Sequence, residues 1–107
     1  MGGSNNTAGD PNRANTAIGL YSSVSGGRDN AASGNYASIS GGRLGSATGD
    51  DASVSGGLQN TASGVRSSVS GGENNTASGW AASVSGGSSR SATGTDDWRA
   101  GALFEDN

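Results

Sequence analysis

Large apolar residues are sparse along this chain, and five of them are evenly spaced. Val24, Ile39, Val54, Val69 and Val84 stand 15 residues apart. Each lies in a Ser-Val/Ile-Ser-Gly-Gly segment, at 23–27, 38–42, 53–57, 68–72 and 83–87. Midway between them runs a second column, Ala17, Ala32, Ala47, Ala62, Ala77 and Ala92, each with Gly two residues later. A flexible Gly/Ser linker has no reason to hold phase over five periods, whereas fixed self-similarity marks a repeat architecture. Each unit divides into two similar halves. One reads Gly-x-x-Asn-x-Ala-x-Gly, as in Gly57–Gly64, and the other Gly-x-x-Ser/Ala-x-Val-x-Gly, as in Gly64–Gly71. The second Gly of each Gly-Gly pair is the extra residue that makes the unit odd in length. Within a half, the apolar residue, the Asn or Ser before it and the Gly after it share one parity. A period of two predicts a strand with this set on one face.

The pattern predicts an all-β fold: a parallel β-solenoid of about six 15-residue coils, each with two short strands and tight corners. Coils then stack about 4.8 Å apart through parallel ladders. Ala fills one inward column and Val/Ile the other, so the interior is thin. Asn30, Asn60 and Asn75, with Ser22 and Ser67, share the inward parity. They are expected to form ladders that satisfy backbone groups at the corners, because a buried amide without partners is costly. Gly45 and Arg90 interrupt the Asn column. Corner glycines are expected to supply positive φ.

The same parity sends small hydroxyls outward. One face carries Ser23 and Ser25, Ser38 and Ser40, Ser53 and Ser55, Ser68 and Ser70, and Ser83 and Ser85. The other carries Thr16 and Ile18, Ala31 and Ser33, Ser46 and Thr48, Thr61 and Ser63, Thr76 and Ser78, and Ser91 and Thr93. Variable and charged pairs such as Arg28-Asp29, Asp50-Asp51 and Glu73-Asn74 fall at the corners. The repeats cover 15–95. Residues 1–14, out of phase and interrupted by Pro11, read as a degenerate or truncated N-terminal coil. Residues 96–107 read as a C-terminal cap, since Trp98 falls in a Ser column and Arg99 in the Val column.

Composition narrows the chemistry. Of 107 residues, Gly fills 21 positions and Ser 20, and only 30% are hydrophobic. That supply leaves almost no room for a two-layer domain with large core side chains. Cys, His and Lys are absent, which removes disulfides, Cys-based zinc sites and any His, Cys or Lys general base or nucleophile. The chain is therefore expected not to be an enzyme, with no cofactor and no metal. A net charge of −3 gives no basic footprint for nucleic acid. No apolar run suffices for a membrane span or a secretory signal, so an export signal is expected outside this sequence. The acid pairs Asp50-Asp51 and Asp96-Asp97 read as solvated corner charges, because neighbours on a strand face opposite ways. The triplets Asn5-Asn6-Thr7 and Asn74-Asn75-Thr76 match the glycosylation pattern, as chance allows in a chain rich in Asn and Thr.

Half-repeats of the form Gly-x-x-Ser-x-Ala-x-Gly resemble the head domains of YadA-like trimeric autotransporter adhesins, over roughly residues 15–95. Asn15-Thr16-Ala17-Ile18-Gly19 looks like that family's Asn-Ser-Val-Ala-Ile-Gly element with one residue missing. The resemblance implies a left-handed β-roll and three chains side by side. It also implies display on a bacterial cell surface, and adhesion to extracellular matrix or cell-surface ligands. The second Gly of each pair departs from the family's shorter unit, and Ser stands where the family carries apolar residues. The units are also similar to the β-roll ice-binding proteins of grasses, which use a flat face of Thr, Ser and Val. That likeness implies ice as the alternative partner. The expected function is a non-catalytic, extracellular adhesive module, with ice binding or a passive fibre segment as alternatives. The candidate binding positions are the ten serines of the first face, with Thr48, Thr61, Ser63, Thr76, Ser78 and Thr93 of the second.

Overall fold

The computed structural model describes residues 15–100. They form a parallel β-solenoid of about six turns, and no helix occurs among them. One sheet holds β1 (Thr16–Ala17), β3 (Ala31–Ala32), β5 (Ser46–Ala47), β7 (Thr61–Ala62), β9 (Thr76–Ala77) and β11 (Ser91–Ala92), in that spatial order. The other holds β2 (Ser23–Val24), β4 (Ser38–Ile39), β6 (Ser53–Val54), β8 (Ser68–Val69), β10 (Ser83–Gly86) and β12 (Trp98–Ala100). Every pairing is parallel, and each strand residue faces its counterpart one repeat on, as in Thr61↔Thr76 and Val54↔Val69. Single-residue bridges Arg28↔Arg43↔Leu58↔Glu73↔Ser88 add a narrow third ladder at one corner.

Strands this short have little intrinsic stability, so the stack must hold them. The interior is the Ala column against Val24, Ile39, Val54, Val69 and Val84, joined by Ala37, Ala52 and Ala82, all at most 2% exposed. Burying a Val side chain is worth about 1.5–3 kcal/mol. Small residues opposite let the two sheets approach closely. The Gly19, Gly34, Gly49, Gly64 and Gly79 column is buried for the same reason. A Cβ on any of them would run into the backbone carbonyl of the glycine one coil above.

That column corrects one expectation about the corners. Of the two glycines in each pair, only the second takes positive φ, from 83° at Gly27 to 98° at Gly87. The remaining left-handed corner positions carry other residues, two to a coil. They are Tyr21, Tyr36, Asp51, Arg66, Ala81 and Asp96 in one column, and Asp29, Leu44, Gln59, Asn74 and Ser89 in the other. None is β-branched, the type this conformation tolerates least. The first Gly of each pair has neither constraint: at Gly41, Gly56, Gly71 and Gly86 an added Cβ would have nothing within 4 Å.

The inward asparagines join the coils. Asn60 Nδ2 donates to the Gly56 carbonyl of its own coil (2.8 Å) and to the Gly72 carbonyl of the next (3.1 Å). Its Oδ1 accepts the Asn75 N–H at 3.0 Å. Asn30 and Asn75 repeat the set on Gly26, Gly42 and Gly45, and on Gly71, Gly87 and Arg90. Gly45 takes the bond from below but has no side chain to pass it upward. The serines behave differently from the expected ladder. Ser22 and Ser67 donate their hydroxyls to Gly19 and Gly64, three residues back in the same coil. The backbone N–H of the same residue already bonds that carbonyl, whether the residue is Ser22, Ala37 or Ser67. Ala therefore substitutes freely in that column.

Candidate functional site

The register turns single residues into rows. In-register pairing aligns Ser23, Ser38, Ser53, Ser68 and Ser83 as direct neighbours. These side chains are half-buried between coils. Two residues on, Ser25, Ser40, Ser55, Ser70 and Ser85 are exposed. Four of them are fixed by N–H bonds to the coil above: Ser25 to Ile39, Ser40 to Val54, Ser55 to Val69 and Ser70 to Val84, at 2.9–3.0 Å. The result is two parallel hydroxyl rows. Spacing is about 4.8 Å along the axis and about 7 Å across, the distance of two strand residues.

The second face is less uniform. Thr61 and Thr76 sit half-buried and adjacent, below Ser91 and above Ser46. Thr48, Ser63, Ser78 and Thr93 form the exposed row beside them, which begins at Ile18, 58% exposed. The two faces belong to different sheets, so the structure does not bring their candidate residues together into one site. It offers two arrays instead.

A third surface runs along the corner between the Gly19 column and β2, β4, β6, β8 and β10. Tyr21 and Tyr36, both exposed, stack with ring centroids 5.4 Å apart and planes at 15°. Arg66 lies over the exposed Trp80 ring at 5.8 Å, a cation–π contact. Asn35 Oδ1 accepts the Leu20 N–H, and Asp50 Oδ1 accepts the Asn35 N–H, both at 3.1 Å. Asp50 thus helps to order the corner. Ile18, Leu20 and Tyr21 are surface residues, each more than half exposed. The 15-residue phase already placed Leu20, Asn35 and Asp50 in one column. It carried no signal for the ring stacking, which depends on side-chain torsions.

Among the described residues no group of three or more His, Cys, Asp or Glu is arranged to hold a metal ion. Of the two glycosylation-type triplets, Asn74 is exposed at a left-handed corner, and the one at 5–7 lies outside the described residues. Comparison with protein-family models, with curated proteins and with solved structures returned no match.

Proposed function

We propose that the chain is a non-catalytic structural and adhesive module that works outside the cell, in the manner of a YadA-like adhesin head. The observation that carries this reading is the Ser face: ten hydroxyls on five consecutive coils, in register and supported by inter-coil bonds. Such a face makes many equivalent weak contacts, whose avidity grows with valency. The titratable groups are few and sit mainly at corners, where Asp50 accepts a backbone N–H and Arg66 lies over Trp80. Catalysis has little to work with in that arrangement. On this reading three chains associate side by side, since closed symmetry is usual among oligomers. The resemblance to adhesin heads supplies the number three. Light scattering on the purified chain tests the assembly. A trimer mass is expected, and a monomer at micromolar concentration would remove the main support for the adhesin-head reading.

Ice binding is the second reading, favoured by the adjacent Thr61 and Thr76 within an in-register parallel sheet. Methyl groups help such a surface order water, and this row interleaves Thr with Ser and Ala. The Ser face is more regular but has no methyls. Weak or no thermal hysteresis is therefore expected. A clear freezing-point gap, abolished by Ser68→Tyr or Thr76→Tyr with the fold intact, would reverse the ranking.

A further inference from the structure

Each lower coil offers its upper edge to the next in the same way. Gly19, Gly34, Gly49, Gly64 and Gly79 donate their N–H groups to the Ala carbonyl one coil above. Ser23, Ser38, Ser53, Ser68 and Ser83 donate to the carbonyls of residues 37, 52, 67, 82 and 97. In the last described coil the equivalent donors are Gly94 and Trp98, and both turn to one carboxylate. Asp97 Oδ1 accepts the Trp98 N–H at 3.1 Å, and Oδ2 lies 3.5 Å from the Gly94 nitrogen.

The phase makes this substitution pointed. Asp97 occupies the column of Ser22, Ala37, Ala52, Ser67 and Ala82, all at most 1% exposed. Arg99 pairs with Val84 in the register and so occupies the Val/Ile column. Its Nε lies 3.9 Å from Asp97 Oδ2, with the two side chains 54% and 32% exposed. Trp98 pairs with Ser83, and its indole N–H donates to Ser85 Oγ at 2.8 Å, which directs the ring back toward the coil below. A further coil laid on this end would bury a charged pair where lower coils place Ser or Ala and Val. It would also have to pull Asp97 off both edge donors. One long ion-pair contact recovers little of that desolvation cost, and charge at an edge is a known guard against strand addition.

We propose that Asp97, Trp98 and Arg99 form a stop that closes this end of the solenoid to a second copy of the chain. The blocked partner is a second copy because the described coils pair with one another in a single register, so the lower edge of one described coil fits the upper edge of another. The inference concerns stacking along the axis and is independent of side-by-side trimer formation. The experiment uses the full chain and the triple variant Asp97→Ser/Trp98→Ser/Arg99→Val, which copies Ser67-Ser68-Val69 of a lower coil. Light scattering over a concentration series, circular dichroism and electron microscopy are read together. The unaltered chain is expected to keep one mass at all concentrations. The triple variant should keep its β spectrum while its mean mass rises by about tenfold or more as unbranched filaments, the outcome of an open head-to-tail contact. Arg99→Val alone leaves Asp97 on both donors and should not assemble. A folded triple variant with the original mass would overturn the proposal, as would disordered clumping or filaments of the unaltered chain. Loss of the folded spectrum would overturn it too, since the three residues would then be stabilisers of their own coil.

Discussion

Replacing Asn60 with Ala removes one wholly buried side chain and three hydrogen bonds. The three losses are unequal. The Gly72 carbonyl keeps the Leu58 N–H at 3.0 Å, so it suffers least. The Asn75 N–H loses its partner in a buried setting, and the Gly56 carbonyl loses its own in a partly buried one. An unsatisfied buried group costs about 1–3 kcal/mol, so Asn60→Ala is expected to cost about 3 kcal/mol in total. Against a typical domain stability of about 5–15 kcal/mol that is large. It should lower the melting temperature by roughly 10 °C or more. Asn60→Asp should be worse, because a buried carboxylate would face two carbonyl oxygens. Circular-dichroism melts give the ordering. Amide hydrogen exchange localises it, with Asn75 N–H expected to lose protection first. If Asn60→Ala melts within about 0.5 kcal/mol of the unaltered chain, a surface-like effect, the asparagines do not join the coils.

The other expectations follow from column identity. Val69→Asp should unfold the central coils by burying an unpaired charge, while Ser68→Asp and Ser70→Asp stay mild; equal damage from Ser68 and Val69 in thermal melts would refute the parity. Gly64→Ala drives a Cβ into the Gly79 carbonyl and should abolish cooperative melting. Gly71→Ala meets nothing within 4 Å and should be neutral or stabilise by about 0.4–1 kcal/mol. At Leu44, φ is 58°, so Leu44→Gly should raise stability by about 1 kcal/mol in urea titrations while Leu44→Val lowers it. Ser67→Ala should change stability by less than about 1 kcal/mol, since the Ala37 coil makes the same backbone bond.

The solenoid, its register and its inward columns were legible because each is a sum over coils. One Val in a Ser-rich segment says little, but Val54 and Val69 in phase with Ala62 define two sheets. The asparagine bonds were legible in outline, since an inward amide must find partners. The serine bonds were not, because Ser22 and Ala37 fold alike and the column does not depend on the hydroxyl. Corner backbone was legible only at Gly27 and its repeats. Tyr21 and Leu44 accept left-handed φ because the stack imposes it, and no local preference announces that. The function of the Ser and Thr faces stays a proposal because a hydroxyl row is as useful for solubility as for contact, and repetition does not separate the two.

The inter-coil bonds have a mechanical consequence. They run along the stacking axis, so a pull on the two ends loads them in series and the coils give way one at a time. A 15-residue coil contributes about 4.8 Å to the folded length but about 50 Å when drawn out. Each coil that peels away therefore releases about ten times its folded length, and the rest of the stack is left intact. Tension along the axis should therefore be met by a series of small yields, visible as regularly spaced steps in single-molecule pulling.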